Sequence, residues 1–229
     1  MAKRICFVST PYENTIYKEI EVEFEYFNGF AISQKQKSIN SLHESANKID
    51  KHLRILEISS KSIDPIGVEL SAFNLKFYDS SVGKEFPIEN IFQSSKVFER
   101  GGPYRDLINI HPKDAKRDER LKSSGNLIHF NYNENIWERE PKSMFYDWLY
   151  IRSLYRNKSL SKKILEYNAF TDIEFNQKKS INCQARSAAI FVSLSKIGKL
   201  EKVLDNKEEF KKIYPKEANN NFQISLFDL

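Results

Sequence analysis

Across residues 18–27 charged and apolar residues alternate without a break. Glu19, Glu21, Glu23 and Glu25 fall between Ile20, Val22, Phe24 and Tyr26. On a helix this set would scatter around the axis, whereas on an extended chain the apolar side chains share one face. The segment must be a strand of a sheet with one wet and one buried face, and the fold must cover the buried one. The neighbouring segments supply partners. Residues 4–9 read as a short apolar strand, 38–50 as a helix, and 54–58 and 68–77 as strands, with Asp64-Pro65 and Gly67 as punctuation. Beyond them the period becomes helical. Pro87 suits the first turn of a helix reaching about Arg100, which Gly101-Gly102-Pro103 breaks. Residues 114–122 form a short charged helix and 126–132 a strand. Pro141 opens an aromatic-rich helix with Phe145, Trp148, Leu149 and Leu154, and helices over 159–167 and 180–196 follow. The expected fold class is α+β: a mainly helical core with a small β-sheet contributed largely by the N-terminal third.

The 229 residues, 40% hydrophobic and 13% aromatic, suffice for one domain with a sizeable core. A net charge of +5 permits an anionic partner such as nucleic acid without demanding one. Cys6 and Cys183 have no CxxC or metal-ligand spacing and read as reduced thiols. The apolar run after Met1-Ala2-Lys3-Arg4 is too short for a signal-peptide core, and no stretch is long and apolar enough to span a membrane, so a cytoplasmic protein is expected. Residues 1–214 are expected to form the domain. Residues 215–229 begin as a polar tether containing Asn219-Asn220-Asn221 and close on the apolar Ile224, Leu226 and Phe227.

Two stretches echo each other: Lys37-Ser38-Ile39-Asn40 and Lys179-Ser180-Ile181-Asn182. Both look like helix starts capped by Ser, and a lysine there either faces a bound anion or reflects chance similarity.

At about 100° per residue, Glu89, Gln93, Lys96 and Arg100 share one narrow polar stripe of the expected helix, bordered by Phe92 and Val97. Such a stripe suits a cleft. A carboxylate beside cations can activate water or protonate a leaving group while the cations hold phosphates, and an amine such as Lys96 can attack a sugar aldehyde. From spacing alone, a solvated helix face fits equally well. In the turn that follows, Gly101 and Gly102 allow backbone amides to approach a phosphate, although a plain connector fits too. Asp172 and Glu174, two apart between aromatics, either share a strand face and divide acid and base work or are two exposed acids before a basic helix start. Asn182, Gln184 and Arg186 can hydrogen-bond a ribose or base, and Tyr104, Trp137 and Trp148 can stack on one or belong to the core. The four histidines have no zinc-site spacing, and GxGxxG, GxSxG and P-loop motifs are absent, so no metal or cofactor is expected.

Several segments resemble the NADAR family. Pro87 to Lys96, PIENIFQSSK, is similar to its VEHAFQAAK helix, Leu70-Ser71-Ala72-Phe73-Asn74 to its LSNF segment, Ala115-Lys116-Arg117 with Trp137 to its AKR…W stretch, and Arg156 to Leu160 to its QNPEL turn. Residues 97–104, 145–150 and 170–176 resemble the branch of NADAR antitoxins paired with DarT-type toxins, which ADP-ribosylate guanine in DNA. Where the family has His after the glutamate, Asn90 stands here. The resemblance implies a YbiA-like fold and an ADP-ribosyl glycohydrolase that restores guanine, with ADP-ribosylated nucleic acid, DNA before RNA, as substrate. It implies Glu89 and Lys96 in the active site. On the reading of the residues, Glu89 orients or activates water, Lys96 holds the pyrophosphate or attacks the sugar, and Asp172 and Glu174 hold the distal ribose or assist proton transfer. Gln93, Arg100, Gly101, Gly102, Tyr104, Lys179, Asn182 and Arg186 are the expected substrate-binding residues. A non-catalytic ADP-ribose- or toxin-binding module and a glycosidase of small ribosides are the alternatives. Apart from this family, Gln223-Ile224-Ser225-Leu226-Phe227 resembles the QLSLF peptide that docks on the bacterial sliding clamp, with Gln223, Leu226 and Phe227 as its anchors.

Overall fold

The structure, a computed structural model, describes residues 1–12, 15–175 and 183–214. In chain order its elements are β1 (Ala2–Ser9), β2 (Tyr17–Phe24), α1 (Ile32–Ile49), β3 (Ile55–Glu57), α2 (Pro65–Glu69), β4 (Lys76–Asp79), β5 (Lys84–Pro87), α3 (Ile88–Ser94) and β6 (Lys96–Phe98). A 3-10 turn (Arg105–Asn109), α4 (Pro112–Arg117), α5 (Arg120–Ser123), β7 (Leu127–Tyr132), β8 (Asn135–Glu138) and α6 (Met144–Arg156) follow. The last elements are α7 (Lys158–Ile164), β9 (Ala169–Thr171), α8 (Gln184–Lys196), α9 (Leu200–Asp205) and α10 (Lys207–Lys211).

The alternating strand is β2, antiparallel to β1 with Ile20 opposite Cys6 and Val22 opposite Arg4. Val22 and Phe24 are buried while Glu21 and Glu23 are exposed, as the period of two requires. What covers them is α1, whose Ile39, Leu42 and Ala46 pack with Cys6, Val8, Val22 and Phe24. The sheet order is β2-β1-β9-β3, with β9 parallel to β3 and antiparallel to β1. Phe7 and Phe170 belong to the main core on its other side, with α6 and α8. Both helices are buried around most of their circumference, the sign of an interior helix. Two smaller sheets, β4-β5 and β6-β7-β8, complete the α+β fold. The β-structure therefore reaches well past the N-terminal third.

Several element boundaries differ from the sequence reading. Residues 68–77 are not one strand. Asp64 Oδ1 accepts from Ile66 N at 2.9 Å and Pro65 starts α2, which carries Val68. Gly67 lets α2 lie directly on β3, since a Cβ there would sit 1.9 Å from the Glu57 carbonyl oxygen. The expected helix over 87–100 stops at Ser94. Ser94 and Ser95 hydroxyls bond back to the Ile91 carbonyl at 3.1 and 2.7 Å, and Asn131 N donates to the Ser95 carbonyl at 2.7 Å. The β-forming Val97 and Phe98 then join β7. The charged segment 114–122 splits into α4 and α5. Ser38 is not a helix cap, because α1 begins six residues earlier at Ile32; its hydroxyl accepts from Phe27 N at 2.9 Å instead.

Candidate active site

Helix α3 is buried along its whole length and carries Glu89 in its first turn, 5% exposed. Gln93, one turn later, donates Nε2 to Glu89 Oε1 at 2.7 Å. Lys116 of α4 brings Nζ to 3.9 Å from the same oxygen and lies over the Phe73 ring. Lys96, first residue of β6, places its ammonium 4.8 Å from the centroid of the Phe92 ring. Burial pushes Lys96 down to about 8; the Glu89 carboxylate opposes that fall and the Lys116 charge reinforces it.

The facing wall is built where β9 ends. Asp172 Oδ1 accepts from the backbone N–H of Glu174 at 3.0 Å and of Phe175 at 3.2 Å. Its Oδ2 accepts from Gln184 Nε2 at 3.0 Å. That Gln184 amide also donates to the Ile58 carbonyl at 2.6 Å and accepts from Ala72 N at 2.8 Å, tying α8 to the end of β3 and to the loop after α2. Behind Asp172 the carboxylate of Glu57, 2% exposed, accepts from Thr171 Oγ1 at 2.7 Å and Ile173 N at 2.8 Å. Thr171 Oγ1 also meets His43 Nε2 at 2.8 Å. Burial pushes His43 down to about 4, so the ring is neutral at pH 7. With the Thr171 proton directed at Glu57, His43 donates from Nε2. Burial pushes both acids up, Asp172 to about 8, and the Glu57 charge adds to the rise. The pair therefore holds a proton at neutral pH.

Between these walls lies a pocket of about 130 Å³, lined by Ser71, Phe73, Glu89, Lys116, Tyr146 and Asp172, with Glu174 at its edge. The Ser71 hydroxyl is buried and has no hydrogen-bond partner among the described residues. The volume is below the roughly 300 Å³ at which pockets for drug-sized ligands begin, so it has room for a unit about the size of one sugar. A larger cleft of about 630 Å³ opens elsewhere, beside Trp148. The smaller pocket is the candidate active site, because it alone of the two joins Glu89 and Asp172. Among the described residues no cluster of three or more His, Cys, Asp and Glu is placed to hold a metal ion.

A family model described as DarT1-associated NADAR antitoxin matches residues 2–223. The chain belongs to the NADAR family. No curated protein matches it.

In this NADAR chain Glu89, Asp172 and Glu174 line one pocket, whereas Lys96 is not among its lining residues and only feels the Glu89 charge from beside it. The arrangement is not the one the spacing suggests. Lys96 comes from a strand after α3, and Asp172 and Glu174 lie in a turn after β9, not on one strand face. Glu174 is exposed and 3.8 Å from Lys35 of α1. Gln93 stands behind Glu89 and holds it. Arg100 points away and donates to the Ser123 carbonyl at 3.0 Å. The Gly101 N–H bonds to Phe98, and a Cβ on Gly102, at φ +86°, would sit 2.3 Å from the Lys96 carbonyl oxygen. The glycine turn thus closes onto β6 as a connector. Tyr104 bonds Ser124 and stacks on Arg120. Arg186 is no surface donor: it is buried against Asp147, with Nη2 to Oδ2 at 2.9 Å. Trp137 and Trp148 pack together at 4.8 Å, away from Glu89. Lys179, Asn182, Gln223, Leu226 and Phe227 lie outside the described residues. Sequence reasoning missed Glu57, Lys116 and Tyr146 as site residues. The available signal for Glu57 was a lone acid inside Ile55-Leu56-Glu57-Ile58.

Among the described residues no helix is long and apolar enough to cross a membrane.

Proposed function

We propose that this NADAR antitoxin is an ADP-ribosyl glycohydrolase that removes ADP-ribose from guanine in DNA and so reverses the modification made by a DarT-type toxin. The observation that carries this reading is the pairing, across one sugar-sized pocket, of an acid that keeps its proton at neutral pH with a buried carboxylate flanked by lysines. Breaking the bond between the sugar C1 and the base nitrogen needs a proton delivered to the leaving nitrogen and negative charge near the oxocarbenium ion. Asp172 supplies the proton. Glu89 supplies the charge and takes a proton from the water whose oxygen ends on C1, giving ADP-ribose and unmodified guanine still in the DNA. The Ser71 hydroxyl, without a hydrogen-bond partner among the described residues, suits a ribose hydroxyl. A covalent route is the alternative to direct attack by water. The partly neutral amine of Lys96, which feels the Glu89 charge from beside the pocket, adds to C1 of the ring-opened sugar, and the guanine nitrogen leaves with the proton from Asp172. Water then hydrolyses the imine to ADP-ribose and the free amine. A carboxyl pushed up by burial, facing a second carboxyl across the pocket, favours an enzyme over a pure binding module.

The test is incubation of the full chain with ADP-ribosylated single-stranded DNA. Release of ADP-ribose with recovery of unmodified guanine is expected. Retention without release would make the protein a binding module, and activity confined to free ribosides would make it a metabolic glycosidase.

A further inference from the structure

Helix α6 has two functional-looking sides. Tyr146 lines the pocket with Glu89. Trp148, about 200° further round, opens on the larger cleft together with Arg152 and Arg156, four and eight residues on and therefore on the same side. Opposite them stand Tyr78, Trp137 and Lys207. The cations rest on ring faces: Arg156 is 3.8 Å from the Tyr78 centroid, Lys207 is 5.1 Å from Trp137 and Arg152 is 5.4 Å from Trp148. Among the described residues none of the three forms an ion pair with a carboxylate. Asp205 also lines the cleft, and Asp79 beneath it is engaged by Ser81 at 2.6 Å and Asn133 at 3.0 Å. Arg152 Nη1 also donates to the Leu204 carbonyl at 3.5 Å and Lys207 Nζ to the Ile136 carbonyl at 2.7 Å, which fixes both cations at the cleft while leaving further N–H groups of each to donate. The ring behind Arg156 fixes its plane, and a guanidinium so held binds phosphate oxygens in pairs.

We propose that this cleft is a second binding site, for one or two nucleotides of single-stranded nucleic acid, distinct from the Glu89 pocket. The phosphates lie on Arg152, Arg156 and Lys207, and a base packs against the exposed part of Trp148. The cleft volume of about 630 Å³ falls within the range of nucleotide-sized sites. Arg152 and Arg156 are about 6 Å apart along the helix axis, and with Lys207 across the cleft they offer more cation than one phosphate uses. This favours a strand over a free nucleotide. The site does not depend on the hydrolysis proposed above.

The chain has two tryptophans, and both line this cleft, so their fluorescence reports on it directly. Titrating the full chain with an unmodified thymidine oligonucleotide at low salt should quench that emission, with affinity falling as salt rises. The double variant Arg152→Glu, Arg156→Glu should bind at least ~10-fold more weakly, and its salt slope should fall by about 0.7 for each lost phosphate contact. Its release of ADP-ribose from a modified guanosine monomer should equal that of the wild type. If that variant fails to fold, Arg156→Gln should still weaken oligonucleotide binding ~3-fold or more. No quenching, binding unchanged in the charge variants, or thymidine monophosphate binding as tightly as the oligonucleotide would each overturn the proposal. Because the readout is binding of unmodified DNA, it stands or falls separately from glycohydrolase activity.

Discussion

Lys96 gives the sharpest test of the chemistry. An amine at the ordinary 10.5 is neutral in fewer than ~1 in 1,000 molecules at pH 7, whereas at about 8 it is neutral in roughly 1 in 10. If Lys96 forms an imine with the sugar, borohydride trapping of a protein–ADP-ribose adduct should climb about ninefold from pH 6 to 7, about fivefold from 7 to 8, and level off above ~9. The neighbours set the midpoint. Lys116→Gln removes a like charge and should move it upward, and Glu89→Gln removes an opposing one and should move it downward. The same displacement has a stability consequence with a definite sign. Lys96 binds its proton less tightly in the folded than in the unfolded chain, so stability should rise with pH across the window from about 8 to 10.5. Below that window the charged amine costs on the order of 1–3 kcal/mol, the upper figure being the full displacement at 1.36 kcal/mol per pH decade and the lower allowing for the side chain's partial exposure. Lys96→Met should therefore be inactive and untrappable, yet more resistant to denaturant at pH 7 than the wild type. A pH-independent yield of adduct, or an adduct surviving in Lys96→Arg, would refute the nucleophile. A Lys96→Met protein less stable than the wild type at pH 7 would refute the buried, disfavoured ammonium.

Glu89→Gln should keep the fold by circular dichroism but lose at least ~100-fold in the rate of ADP-ribose release, and near-normal turnover would remove Glu89 from the mechanism. Glu57→Gln takes a negative charge away from Asp172 and should lower its pKa, so the alkaline limb of the pH–rate profile should move to lower pH; an unmoved limb would detach Asp172 from proton delivery. Asp147→Ala strips the buried Arg186 of its carboxylate, and Ser187 and Tyr214 of their acceptor at 2.5 and 2.6 Å. It should cost about 3–5 kcal/mol in urea unfolding, a fall in Tm of roughly 6–20 °C, and a loss under ~1 kcal/mol would show that the network relaxes. The sliding clamp should pull down the full chain but not one ending at Asn221, while both hydrolyse a short substrate equally. No binding at ~100 μM, a weak affinity for a peptide, would assign that sequence another role.

What was legible in the sequence is what is periodic. The alternation of β2 survives because its register with β1 leaves Glu21 and Glu23 in water and buries Val22 and Phe24. The aromatic helix α6 and the small-residue helix α8 were visible because each is long enough to show its period. The helix over 87–100 was overread, since the stripe of Glu89, Gln93, Lys96 and Arg100 is helical in spacing although the chain leaves the helix at Ser95. Serine back-bonds and pairing with β7, a partner some 30 residues away, end it there, and no local pattern encodes a partner at that distance. Lys96 still feels the Glu89 charge, because strand β6 sets the lysine over Phe92. Glu57 stayed hidden for a related reason: its acidity becomes chemistry only beside Asp172, and a parallel strand pairing joins the two.

That pairing also sets the order in which the protein can be made. Strand β9 sits between β1 and β3, so the sheet has an empty central place until residue 171 is available to fill it. Glu57 is synthesised 114 residues before its partner Thr171, an interval on the order of ten seconds at typical bacterial elongation rates. Until then β1 and β3 present unpaired edges and the acid pair does not exist. A nascent chain stalled before β9 would hold Glu89 and Lys96 but no Asp172, and would be prone to stick to others through its open strands. The acid pair of the candidate site can therefore assemble only late in synthesis, once a three-residue strand is available for the middle of the sheet.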